Sequence, residues 1–170
     1  MKNYALFLWI ALLMLGISGT IGAREVASFN DGWEFKKGPF SKEALQAVQK
    51  WNSDWQEVSI PHTWNADDMQ KQASAFYEGV GYYRKKFTFP ENTEGKRIFL
   101  REGVGSYAEV YINGYLAGTH KGAYSAFACE ISSQVKFGKE NEIIVKADNS
   151  SRPDVIPTNH IWFGVYGGIY

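Results

Sequence analysis

Hydrophobic and polar residues alternate most regularly in the middle of the chain. From Tyr107 to Ile112 every second residue is aliphatic, and Tyr or Glu stands between. Because successive strand side chains point to opposite faces, this pattern predicts a half-buried β-strand. Asn113-Gly114 follows, and this pair favours a type I′ hairpin turn into a second strand. The two-residue loop predicts three facing pairs: Ile112 with Tyr115, Tyr111 with Leu116 and Val110 with Ala117.

The same two-residue period recurs in short segments along the chain. The predicted strands lie within 28–38, with Trp33 and Phe35 on one side, and at 55–60, 82–89, 96–101, 127–131 and 142–147. Gly, Pro, Asn and Asp residues separate them, as expected for turns. About eight short strands at this spacing predict an all-β protein built as an antiparallel sandwich.

Three segments depart from this pattern. Ser41 to Lys50 has apolar residues at helical spacing behind a serine N-cap, which predicts one short helix near the N-terminus. Asp67 to Gly81 has no strong period and is predicted to be a long loop. Ser150 to Tyr170 is rich in Pro, Gly and aromatic residues, and we expect an ordered loop there.

The first 23 residues differ from the rest in composition. Lys2 precedes a continuous apolar run from Ala5 to Leu15, and small residues follow it up to Ala23. This pattern is typical of a secretory signal peptide, the alternative being an uncleaved anchor. The interpretation predicts a secreted or periplasmic protein of the bacterial envelope, with the fold in residues 24–170. The single cysteine, Cys129, allows no internal disulfide and is predicted to be a buried, inert thiol.

Composition excludes partners that recognise bulk charge. Eighteen basic and 18 acidic residues give a formal charge of zero. The sequence therefore favours neither nucleic acid nor, once the signal is removed, a membrane surface. Aromatic residues make up 16% of the chain. We expect most of these rings in the core and a few facing a ligand.

No motif for a metal, a cofactor or a nucleophile stands out. The three histidines, His62, His120 and His160, lack ligand spacing, and the chain has neither a phosphate-binding loop nor a Gly-x-Ser-x-Gly elbow. We therefore expect no cofactor and no metal, although the acidic groups near Asp68 and Asp154 leave a structural Ca²⁺ as an alternative. No spacing singles out a glycosidase-like carboxylate pair, so the residues themselves predict no catalytic group.

Four motifs, taken in order, carry a family resemblance. They read Asp-Trp-x-x-Val-x-Ile-Pro-His-Thr-Trp-Asn at 54–65, Gly-x-Gly-Tyr-Tyr-Arg-Lys-x-Phe at 79–87, Val-Tyr-Ile-Asn-Gly through His-Lys-Gly-x-Tyr-x-x-Phe at 110–127, and Asn-Ser-x-Arg-Pro-Asp with Tyr-Gly-Gly-Ile-Tyr at 149–154 and 166–170. Together they resemble the N-terminal sugar-binding domain of glycoside hydrolase family 2, which includes β-galactosidases, β-glucuronidases and β-mannosidases.

The resemblance implies a jelly-roll β-sandwich that serves a secreted enzyme hydrolysing O-glycosyl bonds of β-glycosides. In such enzymes an immunoglobulin-like domain and a (β/α)₈ barrel follow, and the barrel carries both catalytic glutamates. We therefore expect that the chain is a truncated part of such an enzyme, that it holds no catalytic residue and that it meets carbohydrate together with the missing catalytic domain.

The resemblance also implies five substrate-binding candidates: Trp64, Asn65, Arg152, Asp154 and Trp162. Galactose-recognising members commonly have an Asp four residues before the Tyr of Tyr-Gly-Gly. Here that position is Trp162, whose ring can stack on a sugar face. Trp64 and Asn65 could instead pack the domain against a neighbour, Arg152 and Asp154 could simply pair, and Trp162 could be buried between domains. Two other roles stay open for the whole chain: a stand-alone carbohydrate-binding module and a purely structural module between domains.

Overall fold

The computed structural model describes residues 24–38, 54–68, 76–155 and 166–170, which form two β-sheets. The strands of this described part are β1 Trp33–Lys37, β2 Gln56–Val58, β3 His62–Thr63, β4 Val80–Thr88, β5 Phe99–Gly105, β6 Tyr107–Ile112, β7 Tyr115–Lys121, β8 Ala126–Glu130, β9 Glu140–Asp148 and β10 Gly168–Ile169. A 3₁₀ turn, Glu91–Thr93, follows β4 at the turn predicted there.

All pairings between these strands are antiparallel. One sheet has six strands in the order β2-β1-β4-β9-β6-β7, and the other has four in the order β3-β10-β5-β8. The longest ladder joins β4 and β9, with nine facing pairs from Val80 and Asp148 to Thr88 and Glu140. This ladder forms the centre of the larger sheet, and the end of β9 lies beside the start of β4.

The core lies between the two sheets. Alternate residues of β6 and β9 are fully buried on the inward side of the larger sheet, and Leu100, Val104 and Ile169 meet them from the smaller sheet. The inward residues of β6 and β9 are Ala108, Val110, Ile112, Ile143, Val145 and Ala147. Packing of this kind confirms the predicted all-β jelly-roll class, an antiparallel sandwich.

The predicted hairpin is confirmed at its turn. Asn113 and Gly114 both have positive φ angles, 51° and 83°, as a type I′ turn requires. The Asn113 side chain also accepts a hydrogen bond from the Glu142 backbone N–H at 3.0 Å. The turn is therefore attached to β9 as well as to its own two strands.

The predicted pairing of Val110 with Ala117 is wrong. Val110 faces Gly118 instead, because the ladder contains an irregularity between Val110 and Tyr111, after the correct pairs at Tyr111 and Ile112. An extra residue in one strand is a β-bulge, which pattern alone does not reveal. The bulge places Gly118 where a Cβ would lie 2.9 Å from the Cβ of Cys129.

Several strand boundaries also differ from prediction. The segment 55–60 forms only the short strand β2, and the segment 96–101 forms β5 at Phe99–Gly105. The predicted loop at Ser150–Tyr170 is wrong at Gly168–Ile169, which pairs with both β3 and β5. Strands of two residues such as β3 and β10 show no measurable period, so only their tertiary partners define them.

Cys129 lies inward on β8 and is 8% exposed. Burial, with a smaller contribution from Glu102, raises the pKa of its thiol to about 11. It is therefore protonated at neutral pH, as predicted for an inert thiol.

Three predictions fall outside the described residues. They are the signal peptide at 1–23, the helix at Ser41–Lys50 and the middle of the loop at 69–75. Within the described ranges, no helix has the length and apolar character that a membrane crossing needs.

Candidate functional site

The end of β9 brings the described candidate residues to one place. Asp148 ends this strand, and its carboxylate lies 3.7 Å from the Arg152 guanidinium. The next residue, Asn149, donates a hydrogen bond from its side-chain amide to the Asn65 side chain at 3.3 Å. Two neighbouring residues therefore belong to different polar groups: Asp148 to an ion pair and Asn149 to a network of side-chain amides.

The first candidate, Trp64, is part of the core and is 6% exposed. Its ring stacks on Phe35 with 5.7 Å between centroids and 11° between planes. Two glycines lie against the ring: a Cβ on Gly81 would be 2.5 Å from it and a Cβ on Gly167 only 1.8 Å. The close approach explains why both positions lack a side chain.

The Asn65 side chain is completely buried and makes four hydrogen bonds with protein groups. Its amide nitrogen donates to the Asp68 carboxylate at 2.7 Å and to the Tyr77 carbonyl at 3.0 Å. Its oxygen accepts from the Gly167 N–H at 2.8 Å and from the Asn149 side chain at 3.3 Å. A side-chain amide has two donors and two acceptor sites, so Asn65 uses its whole capacity here.

Neighbouring groups extend this network, which we call the Asn65 junction. It comprises Thr63, Asn65, Asp68, Tyr77, Asn149 and Gly167. The Thr63 hydroxyl donates to the Gly167 carbonyl at 2.8 Å, and the Asn149 oxygen accepts from the Gly79 N–H at 2.7 Å. The junction thus joins four segments of the chain, with sequence separations from 9 residues to more than 100.

The junction fixes the described ends of two connecting stretches. Asp68 and Tyr77 bracket residues 69–75, and the Phe76 ring meets the Tyr166 ring edge-on at 6.2 Å between centroids. Tyr166 follows residues 156–165, which include Trp162. The anchor points of both stretches therefore lie side by side. Trp162 itself lies outside the described residues.

His62 is half-buried and has a hydrogen-bond partner. Its Nδ1 lies 2.7 Å from the Tyr83 hydroxyl, and its ring also contacts Phe35. Burial, followed by the nearby Lys37 charge, lowers the pKa of His62. The ring is therefore neutral at pH 7 and acts as a packed, hydrogen-bonded core side chain.

Arg152 and Asp154 belong to a surface group that we call the Arg152 cluster. It comprises Tyr107, Lys121, Asp148, Arg152 and Asp154. The guanidinium lies 4.6 Å from the centre of the Tyr107 ring, and its Nε is 3.5 Å from the Asp154 carboxylate. Lys121 binds the same carboxylate at 2.5 Å. The alternative that Arg152 and Asp154 pair with each other is what the geometry shows.

The electrostatics of this cluster favour binding over proton transfer. The hydrogen bond from Lys121, with a smaller contribution from Arg152, lowers the pKa of Asp154, which is thus a carboxylate at neutral pH. Carboxylates and guanidinium groups with solvent access suit hydroxyl groups of a sugar. A group able to exchange protons near neutral pH lies elsewhere: burial raises the pKa of Glu102, on the inward side of β5, to about 7.

Metal ligands do not converge in the described part of the chain. No three His, Cys, Asp or Glu side chains there are placed to hold a metal ion.

The sequence predicts Trp64 and Asn65 as candidates but not most of their partners. Asp68, Tyr77 and Gly167 join the junction from segments predicted as loops. A signal was present in part, because glycines, which permit close contacts, recur in three of the four motifs. Their mutual distances, however, depend on the sandwich closing and cannot be read from spacing.

Comparison with known proteins identifies the family. The family described as glycosyl hydrolases family 2, sugar binding domain, matches residues 26–170. The chain belongs to this family. The match covers every segment of the Asn65 junction and of the Arg152 cluster.

Curated relatives of this family 2 domain are glycosidases. A β-glucuronidase of Bacteroides fragilis is 35% identical over 170 residues, which cover 99% of this chain and 22% of the relative. A β-galactosidase of Thermoanaerobacter pseudethanolicus is 33% identical over 153 residues, covering 86% of this chain and 20% of the relative. The chain thus spans about a fifth of the length of these relatives.

Solved structures agree with the sequence relatives. A provisionally assigned β-galactosidase from Bacteroides fragilis is 65% identical with a TM-score of 0.76, over 85% of this chain and 22% of that one. A β-glucuronidase from Bacteroides uniformis is 35% identical with a TM-score of 0.75, over 85% of this chain and 16% of that one. The sandwich is therefore the fold of experimentally determined family 2 domains.

Proposed function

We propose that this domain serves a secreted β-glycosidase that hydrolyses O-glycosyl bonds of β-galactosides or β-glucuronides, with the catalytic groups outside this chain. The observation that carries the proposal is the family match over residues 26–170, joined to relatives named β-glucuronidase and β-galactosidase. The domain itself contributes binding and positioning.

Within that enzyme, the five candidate residues divide into two roles. Trp64 and Asn65 are buried, so they support substrate binding by holding Gly167, which follows the stretch that carries Trp162. Arg152 and Asp154 have exposed charged groups, which can exchange their mutual contacts for sugar hydroxyls. Trp162 is the candidate for stacking on a sugar ring.

An activity comparison tests this proposal. The longest polypeptide that contains the chain is assayed with aryl β-galactoside and aryl β-glucuronide, beside the chain alone. We expect hydrolysis of at least one substrate by the longer polypeptide and none by the chain. Hydrolysis by the chain, or failure of the longer polypeptide with every aryl β-glycoside, would contradict the proposal.

A role for Trp162 is tested in the same enzyme. Trp162→Ala should raise KM with little change in kcat, because a stacking contact binds ground state and transition state alike. Trp162→Phe should restore most of the affinity. An unchanged KM would instead support a purely structural module.

A stand-alone carbohydrate-binding module is a second candidate, favoured by exposed rings such as Tyr115 and Tyr124. Titration of the chain with galactosides, glucuronides and mannosides tests it by intrinsic fluorescence and calorimetry. Millimolar affinity in the chain alone would favour this role, and lack of binding would reject it.

Secretion is proposed from residues 1–23. Replacing two leucines of the apolar run with Asp should retain the protein in the cytoplasm, since signal recognition needs that run. Cell fractionation of both forms provides the measurement. Equal export of the two forms would remove this part of the proposal.

A further inference from the structure

The strands at the centre of the outer face of the four-stranded sheet carry mostly glycine and alanine. Along β5, Leu100 and Val104 point into the core, so Arg101, Gly103 and Gly105 point outward. Residues directly opposite on neighbouring strands share that outward direction. These partners are Ala126 and Ala128 on β8 and Gly168 on β10.

An aromatic ring lies on this flat surface. Tyr170 exchanges two backbone hydrogen bonds with Gly103, at 2.8 and 3.0 Å, and so continues β10. A Cβ on Gly103 would lie 2.8 Å from the Tyr170 ring, which therefore rests directly on the strand. The other side of the ring is open, and the residue is 52% exposed.

Other exposed rings surround the flat surface. Phe99 is 50% exposed at one end of β5, and Tyr124, which is 77% exposed, precedes β8. With Tyr166 and Tyr170 they are four of the seven large apolar residues exposed in the described ranges. We call this surface, from Phe99 to Tyr170 across Gly103, the small-sheet face. Apolar residues exposed together in this way mark an interaction surface.

The outer face of the six-stranded sheet is different. Its outward side chains pair with one another across the strands, as in Arg84 with Glu34 at 2.6 Å and Lys146 with Glu109 at 3.1 Å. On the small-sheet face Arg97 pairs with Glu130 at the edge, whereas Arg101 nearer the centre has no ion-pair partner among the described residues. The charged side chains on the larger sheet thus pair within that sheet, whereas Arg101 on the small-sheet face can pair with a carboxylate of another domain.

We infer that the small-sheet face is the docking surface for another folded domain of the same glycosidase polypeptide, one that presents an apolar patch and a carboxylate opposite Arg101. The inference rests on the proposed function. Relatives are about five times longer than this chain, so each contains further polypeptide to pack against the domain. Tyr170 lies on the face, so any polypeptide that continues from it starts there.

The chemistry of the surface fits a protein better than a sugar. A sugar site needs several convergent polar groups to fix the hydroxyls. Near this face His120 and Ser125 are bound to each other at 3.2 Å, and the centre is formed by glycine and alanine. Flat surfaces with aromatic residues and an arginine are typical of protein interfaces.

Hydroxyl-radical footprinting of the longer polypeptide and of the chain alone tests the inference. Docking should reduce oxidation of Phe99 and Tyr124 by roughly five-fold or more in the longer polypeptide, because interface centres exclude water. Tyr115 and Leu116, exposed at the hairpin tip of the other sheet, are internal controls and should oxidise equally in both. Equal oxidation of Phe99 and Tyr124 in both would overturn the inference.

A matched pair of substitutions locates the contact. Ala128→Arg adds a long charged side chain to the small-sheet face and should restore the oxidation of Phe99 and Tyr124. Thr119→Arg makes the same change on an exposed edge strand of the other sheet and should leave their protection intact. Protection that survives Ala128→Arg would contradict docking at this face.

Other occupants give distinct results. Protection in the chain alone that rises with its concentration would assign the face to a second copy, and protection of the chain by millimolar galactoside or glucuronide would assign it to a sugar. Either result overturns the inference. An active glycosidase with unprotected rings would reject the docking surface alone, whereas protected rings in a polypeptide without glycosidase activity would reject only the proposed function.

Discussion

Two polar groups meet at the end of β9, and they differ in burial. The Asn65 junction is enclosed: Asn65 is 0% exposed and Asn149 is 1% exposed. In the Arg152 cluster, the side chains of Arg152 and Asp154 are 33% and 48% exposed. The neighbours Asn149 and Asp148 belong to the first and the second group, respectively.

This difference assigns different tasks to the two groups. A buried polar atom that loses its partner costs about 1–3 kcal/mol, whereas an exposed ion pair contributes about 0–1 kcal/mol. The junction therefore stabilises this end of the sandwich. The Arg152 cluster costs little to open, because its ion pairs are partly exposed to solvent.

The largest effect is expected from Asn65→Ala. It removes partners from the buried Gly167 N–H and the Asp68 carboxylate, and should lower the free energy of unfolding by about 3–4 kcal/mol. Urea unfolding gives the value. Asn92→Ala, on the exposed 3₁₀ turn, is the control and should change little. If Asn65→Ala lowered the free energy of unfolding as little as the control does, the Asn65 junction would stabilise the domain no more than the Arg152 cluster.

Gly167→Ala should cost slightly less, about 3 kcal/mol. The new Cβ would lie 1.8 Å from the buried Trp64 ring, and tightly packed cores tolerate such insertions poorly. Combining it with Trp64→Leu, which vacates the space, should cost less than the sum of the two single changes. Additive losses would show that the ring contact is not the cause.

Glu102 tests the effect of burial on a carboxyl group. Its pKa is raised from 4.5 to about 7, chiefly by burial, so the folded protein binds more protons than the unfolded chain between these values. Stability should therefore fall as pH rises from 4.5 to 7. Glu102→Gln should stabilise the protein by roughly 2–3 kcal/mol at pH 8 and have little effect at pH 4. Urea denaturation curves at both pH values give the change in free energy of unfolding. An equal change at pH 4 and pH 8 would show that the pKa of Glu102 is not raised by burial.

The smallest effect is expected from Arg152→Ala. Loss of exposed ion pairs should shift the midpoint of thermal unfolding by no more than about 2 °C, and high salt should remove even this shift. Calorimetry at low and high salt provides the measurement. A shift as large as that of Asn65→Ala would remove the distinction between the two groups.

The strands that follow a clear period could be predicted from sequence. Tyr107–Ile112 was found with its turn, because alternation and Asn-Gly are local signals. The bulge that pairs Val110 with Gly118 depends on how β7 meets the opposing sheet, and no local pattern encodes it. The same applies to β3 and β10, which exist because β10 pairs with the distant strand β5 and β3 then pairs with β10.

The sequence predicted which residues belong to the site but not how deeply each one is buried. The motifs contained Trp64, Asn65, Arg152 and Asp154, but the difference in burial between the two pairs emerges only when the chain closes. Asn65 looks like any loop asparagine in sequence. Its four hydrogen bonds come from segments up to 102 residues away, at Gly167.

Hydrogen exchange at the Gly167 amide tests the central distinction most directly. This N–H donates to the buried Asn65 oxygen at 2.8 Å, so it should exchange nearly as slowly as the amides of the β4–β9 ladder. In Asn65→Ala it should lose that protection while the ladder keeps its own. Rapid exchange of Gly167 in the unmodified protein would contradict the account, because the junction would then be no more enclosed than the Arg152 cluster.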